Sequence, residues 1–176
     1  NGTVIAEGEG FASVTIKVLQ DGKSTYYSET VSVEVKDPFI TNGASLSHYF
    51  GKGGLVQIPA RLSLREIGSF AFSECNNLET VAFGELTYIG DYAFATSVGA
   101  LTEITFLKGG ESYPLTIGYG AFEGCILLSS VSLSEGITKI GSNAFCNCEA
   151  LTKITLPNNV EVDDDAFPDT TIIYRI

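Results

Sequence analysis

The chain has 176 residues, 44% of them hydrophobic and 18% charged, with a net charge of −11. That apolar content supports a packed core and argues against disorder. The acidic balance argues against nucleic acid and anionic membranes, which are recognised through clustered Lys and Arg, and no apolar run approaches the ~18 residues of a membrane span.

From the N-terminus, Ala12, Val14, Ile16 and Val18 alternate with smaller or polar residues. Tyr27, Val31, Val33 and Val35 keep a similar phase, broken at Glu29. A period of two predicts strands with one covered face. Asp21-Gly22 lies between the two runs and predicts a tight hairpin turn. Residues 1–37 are therefore expected as a β-hairpin, either part of a cut β-sandwich or a cap on the remainder of the chain. A complete sandwich needs about 100 residues. A cut one would leave edge strands open to pairing, and so to a dimer through residues 1–37. Asp37-Pro38 marks a boundary, and residues 38–45 read as a linker. Met is absent, which implies a mature form or an excised fragment.

Residues 46–176 form the second region, and beyond Gly54 they are repetitive. Ile67-Gly68-Ser69-Phe70-Ala71-Phe72 recurs from Ile89, Ile117 and Ile140, and in a worn copy from Val162. The steps are 22, 28, 23 and 22 residues, the long one holding an insertion at 107–115. A second phase travels with the first: Leu78 to Phe83 matches Leu101 to Phe106, Leu128 to Leu133 and Leu151 to Leu156. Its last four positions alternate as a strand does. The Ala-Phe element is too short for a full helix and is expected as one helical or 3₁₀ turn. A single unit cannot bury its Leu, Ile and Phe, but stacked units can. The expected fold is mainly β (α+β if the turns are counted): a solenoid of about five units, with one parallel sheet on one face and short helical turns.

Cys75, Cys125 and Cys148 each follow the repeat Phe by three residues, and Ser97 takes the same offset after Phe94. A position that accepts Cys or Ser is small, and free Cys prefers burial, so these thiols are expected inside. A Cys125–Cys148 disulfide between adjacent units stays open, subject to geometry. Cys146 is off-phase and expected to be more exposed. Cys146-Asn147-Cys148 lacks the spacing of a zinc or redox pair.

The run Ile140 through Pro157, with its Ile-Gly-x-x-Ala-Phe-x-x-Cys-x-x-Leu-x-x-Ile-x-Leu-Pro pattern, resembles the BspA-type leucine-rich repeat of bacterial surface proteins. Ile67 to Phe83 follows it with Val81 for Ile and Phe83 for Leu. Leu55-Val56-Gln57-Ile58-Pro59 resembles the strand half of a first unit, while Leu46 through Gly54 do not fit. The likeness covers residues 55–176. Residues 1–37 resemble the closing strands of a bacterial immunoglobulin-like domain. The resemblance implies a secreted or cell-surface bacterial protein that attaches to a protein or glycan on host or neighbouring cells. A structural spacer without a ligand of its own is the alternative.

The residues offer little chemistry. His48 is the one histidine. It has no obvious orienting partner, so neither a His-pair metal site nor a general base follows. No Gly-x-Ser-x-Gly elbow occurs. Gly51-Lys52-Gly53-Gly54 lacks phosphate-loop spacing and reads as a turn. Glu161 with Asp163-Asp164-Asp165 suits calcium or a solvated acidic edge, and the EF-hand spacing is missing. No enzyme, cofactor or metal is expected. The candidate binding face consists of outward strand positions: Leu55, Gln57, Thr80, Ala82, Glu103, Thr105, Ser130, Ser132, Lys153 and Thr155. A plainly solvated face is the other reading of these groups. The insertion, with Lys108, Glu111 and Tyr113, is a second candidate, because long loops on rigid scaffolds often carry function.

Overall fold

The computed structural model describes residues 10–17, 28–35, 37–73, 75–95, 100–106, 113–133 and 135–176. The chain divides into two units, Asn1–Pro38 and Phe39–Ile176.

In the first unit, β1 (Gly10–Lys17) pairs antiparallel with β2 (Ser28–Val35). Ala12 lies opposite Val33, Val14 opposite Val31, and Ile16 opposite Glu29, where the alternation breaks. Val18, Tyr27 and the Asp21-Gly22 turn lie outside the described residues. Among the described residues this sheet has two strands, so an immunoglobulin-like sandwich is not seen.

The second unit opens with a hairpin in place of the expected linker. Within residues 38–45, β3 (Phe39–Asn42) turns through Gly43, at φ 62°, and returns as β4 (Ser45–Tyr49). Asn-Gly favours such a turn, and Phe39 packs on Tyr49 with ring centroids 5.0 Å apart. The hairpin closes one edge of a seven-stranded sheet. Beyond β4 that sheet adds β6 (Glu66–Ile67), β8 (Tyr88–Ile89), β10 (Leu115–Ile117), β12 (Ile137–Ile140) and β14 (Glu161–Val162), all parallel. The four-stranded parallel sheet holds β5 (Gly54–Gln57), β7 (Leu78–Phe83), β9 (Glu103–Phe106) and β11 (Ser130–Ser132). The pair β13 (Lys153–Leu156) and β15 (Ile172–Arg175) forms a separate two-stranded sheet. Each coil thus supplies two strands, not the one expected.

Backbone hydrogen bonds run between coils through the corners as well as the strands. Gly90 N–H donates to Ile67 C=O at 2.7 Å, and Gly118 and Gly141 repeat this bond one coil further on. The amides of Phe72, Phe94, Phe122 and Phe145 donate to the Ala carbonyls of the next coil at 2.7–2.9 Å. These bonds hold the repeat Phe residues in register. Inside, Tyr49, Phe72, Phe94, Phe122, Phe145 and Phe167 form a continuous column with centroids 4.5–5.1 Å apart. Phe72, Phe94, Phe122 and Phe145 are buried in it.

The corners are not helical, which corrects the expected helical turns. Chained i→i+3 bonds close them, such as Ala71 N–H to Gly68 C=O and Ser73 N–H to Phe70 C=O. Their fourth residue is left-handed: Phe70 at φ 58° and Tyr92, Gly120 and Asn143 at 55°. A residue of that hand cannot continue a right-handed turn. A short 3₁₀ helix occurs elsewhere, at Ala60–Leu62.

Candidate functional site

Along the four-stranded sheet, Val56, Val81, Phe83, Ile104 and Phe106 point into the core. The residues between them face out, because successive side chains alternate. Register sets them in two rows. One runs Leu55, Thr80, Glu103, Ser130; the other runs Gln57, Ala82, Thr105, Ser132. Leu55, Gln57, Glu103, Ser130 and Ser132 are exposed, and Thr80, Ala82 and Thr105 are half-buried. Thr105 Oγ1 donates to Glu103 Oε1 at 3.3 Å. A shallow depression of about 260 Å³ lies over Leu55, Gln57, Thr80, Ala82, Glu103 and Thr105.

Lys153 and Thr155 are exposed but do not join these rows. They sit on β13, opposite Ile172 and Tyr174 of β15. The ladder breaks before them. Thr102 N–H reaches back one coil to Glu79 C=O, and Ser130 N–H to Thr102 C=O, but Thr152 N–H turns locally to Ala150 C=O at 3.0 Å. Beside the break, Val131 and Leu133 are only half-buried.

Of the insertion residues, Lys108 and Glu111 lie outside the described residues. Tyr113 is half-buried, with the Arg65 guanidinium 4.2 Å from its ring centroid. Arg65 also donates to Glu85 Oε2 at 2.8 Å and to Glu85 C=O at 3.3 Å. The scaffold therefore clasps Tyr113.

The acidic edge is already engaged. Lys139 Nζ lies 2.8 Å from Glu161 and 3.6 Å from Asp163, and Ser142 donates to Asp165 at 2.8 Å. Glu161 and Asp163 converge on the lysine ammonium and Asp165 accepts from the serine, so the three do not share one open centre. His48 packs its ring on Phe50, centroids 4.3 Å apart, and its Nε2 is buried without a partner. Among the described residues no group of His, Cys, Asp and Glu is arranged to hold a metal ion.

All four cysteines are free thiols; Cys75, Cys125 and Cys148 are buried and Cys146 is half-exposed. Cys125 Sγ donates to Phe94 C=O at 3.6 Å and Cys148 Sγ to Phe122 C=O at 3.2 Å, each one coil back. Burial, and then the neighbouring Cys148, push the Cys125 thiol far up, and burial pushes Cys148 to about 12. Thiolates are the reactive form, so native protein should titrate one thiol with a disulfide reagent at neutral pH, that of Cys146. Unfolding in urea should release the other three. Rapid reaction of Cys125 or Cys148 in the native state would contradict their placement.

Residues 47–174 match six copies of the BspA type leucine rich repeat region. None of the curated proteins matches significantly. Among solved structures, the chain is similar to the leucine-rich repeat protein of T. pallidum, TpLRR: 28% identity, TM-score 0.59, over 67% of this chain and 55% of that one. It is also similar in fold to the pneumococcal vaccine antigen PcpA, at 20% identity and TM-score 0.52, over 78% of this chain and 40% of that one. The chain thus spans about half the length of these proteins.

Proposed function

Since the chain belongs to the BspA-type leucine-rich repeat family, we propose that it is a binding protein of the bacterial exterior, attaching to a partner protein through the outward face of β5, β7, β9 and β11. One observation carries this reading. Six polar or hydroxyl groups, with Leu55 and Ala82 among them, stand in two registered rows on a scaffold whose own strands and column of rings fix them. A face already rigid loses little conformational entropy on binding. Glu103 at its centre, within a chain of net charge −11, suits a partner that presents basic groups. No helix among the described residues is long and apolar enough to cross a membrane. Attachment would be by contact across a surface, without chemistry.

The test is an array of purified host-surface and matrix proteins probed with the chain. A variant carrying Gln57→Lys, Glu103→Lys and Ser132→Lys, all at exposed positions, should lose its partner. Its melting temperature should stay close to wild type, since exposed substitutions shift stability by no more than about 0.5 kcal/mol each. Failure to bind any protein, or binding that the triple variant retains, overturns the proposal.

A further inference from the structure

Three aromatic rings line the outer corner of the solenoid, at the turns that follow β6, β8 and β10. Phe70 stacks on Tyr92 with centroids 5.4 Å apart and planes 15° apart, and Tyr92 meets Tyr119 edge-on at 5.3 Å. One coil further, Asn143 Nδ2 donates to the Tyr119 hydroxyl at 2.9 Å. Phe70 is 51% exposed and Tyr119 42%. The inner column of rings has nearly the same spacing, and burial explains it. Burial does not explain the outer one.

Backbone preference does not explain it either. Phe70 and Tyr92 are left-handed, a conformation that bulky residues avoid. The next two coils place Gly120 and Asn143 there, which adopt it readily. Two aromatics therefore occupy a position at which Gly or Asn would be relaxed, and Phe70 leaves half of its surface in water while Tyr92 is half-buried between its neighbours.

We propose that this ridge binds a neutral, extended glycan. The apolar faces of sugar rings pack on aromatic rings, and sugar hydroxyls need carboxylate and amide partners close by. The ridge has both. Asp91 Oδ1 accepts from the Tyr88 hydroxyl at 3.1 Å and from Tyr119 N–H at 2.9 Å, and Asn143 closes the row. The Tyr92 phenol is pushed up by its hydrogen bond with Tyr119, by burial and by the charges of Tyr119, Glu123 and Asp91, so it stays neutral. Those carboxylates repel sulfated or carboxylated chains, which selects neutral sugars. The ridge is about one residue wide in each coil, far short of the roughly 20–30 residues per side of a stable protein interface. A polymer that touches one ring per coil fits it. The site is separate from the sheet face, and its failure leaves that proposal standing.

Native gels containing hydroxyethylcellulose, xylan or galactomannan, with a heparin gel alongside, test this on the whole chain. The repeat itself supplies the variants. Phe70→Asn with Tyr92→Asn copies Asn143, and Tyr119→Ser copies Ser69 and Ser142. Wild type should be retarded in at least one neutral gel and not by heparin, and both variants should lose that retardation while melting no lower than wild type. No retardation in any neutral gel, retardation by heparin alone, or undiminished retardation of the variants overturns the proposal. Should the double variant lose its folded spectrum, Tyr119→Ser decides.

Discussion

Phe94→Ala is expected to destabilise the solenoid by about 3–5 kcal/mol, the range for emptying a buried aromatic site. Phe94 is fully buried and touches Phe72 at 4.5 Å, Phe122 at 4.9 Å and Phe83 at 5.8 Å between centroids. Neither the coil above nor the coil below can collapse into the gap, because the Phe94 backbone is bonded to Ala121 at 2.8 Å and its neighbours are bonded likewise. Ring pairs add about 0.5–1.5 kcal/mol beyond area. Urea unfolding followed by circular dichroism measures the loss. A change below about 1 kcal/mol, outside the range for such sites, would mean that the ring is not in the column.

Gly90→Ala should be comparably damaging, although it adds only a methyl group. A Cβ at Gly90 would lie 2.5 Å from Ser69 N, 2.7 Å from Gly68 C and 2.9 Å from Ile67 O. These are backbone atoms of the preceding coil and cannot swing aside. Overpacking of this kind costs about 1–3 kcal/mol, occasionally more, and here it also strains the 2.7 Å bond from Gly90 N–H to Ile67 C=O. Gly84→Ala is the matched control, because nothing lies within 4 Å of its Cβ position. Its effect should stay within about 0.5 kcal/mol. Equal midpoints for the two variants in the same urea titration would contradict the close approach of coils at the Ile-Gly corner.

The buried half of this molecule is legible in the sequence because its residues recur in phase. Phe72, Cys75, Leu78, Val81 and Phe83, and their counterparts from Phe94, Phe122 and Phe145 onward, read as inward from spacing alone. The seven-stranded sheet is not legible. Its strands at Glu66–Ile67 and Tyr88–Ile89 are two residues long, too short to show alternation. The corner reads as helical because Phe70 and Tyr92 do not announce a left-handed backbone. Gly120 and Asn143 at the same repeat position are the signal that does.

Of the candidate face, period and phase place Gln57, Thr80, Glu103, Thr105, Ser130 and Ser132 on one surface, and the register agrees. Lys153 and Thr155 match that phase residue for residue, and nothing in their identity marks the broken ladder before β13. The outer ring column escapes the sequence for a related reason. Tyr119 stands one position earlier in its repeat than Phe70 and Tyr92, so the three rings do not align in sequence and meet only in space.

Native-state hydrogen exchange of the Phe72, Phe94, Phe122 and Phe145 amides tests the stacking most directly, since each donates to an Ala carbonyl one coil away. All four should exchange only through global unfolding, with protection that tracks overall stability. Exchange of these amides at the rate of exposed peptide, in protein that is otherwise folded, would show that the coils do not stack in this register.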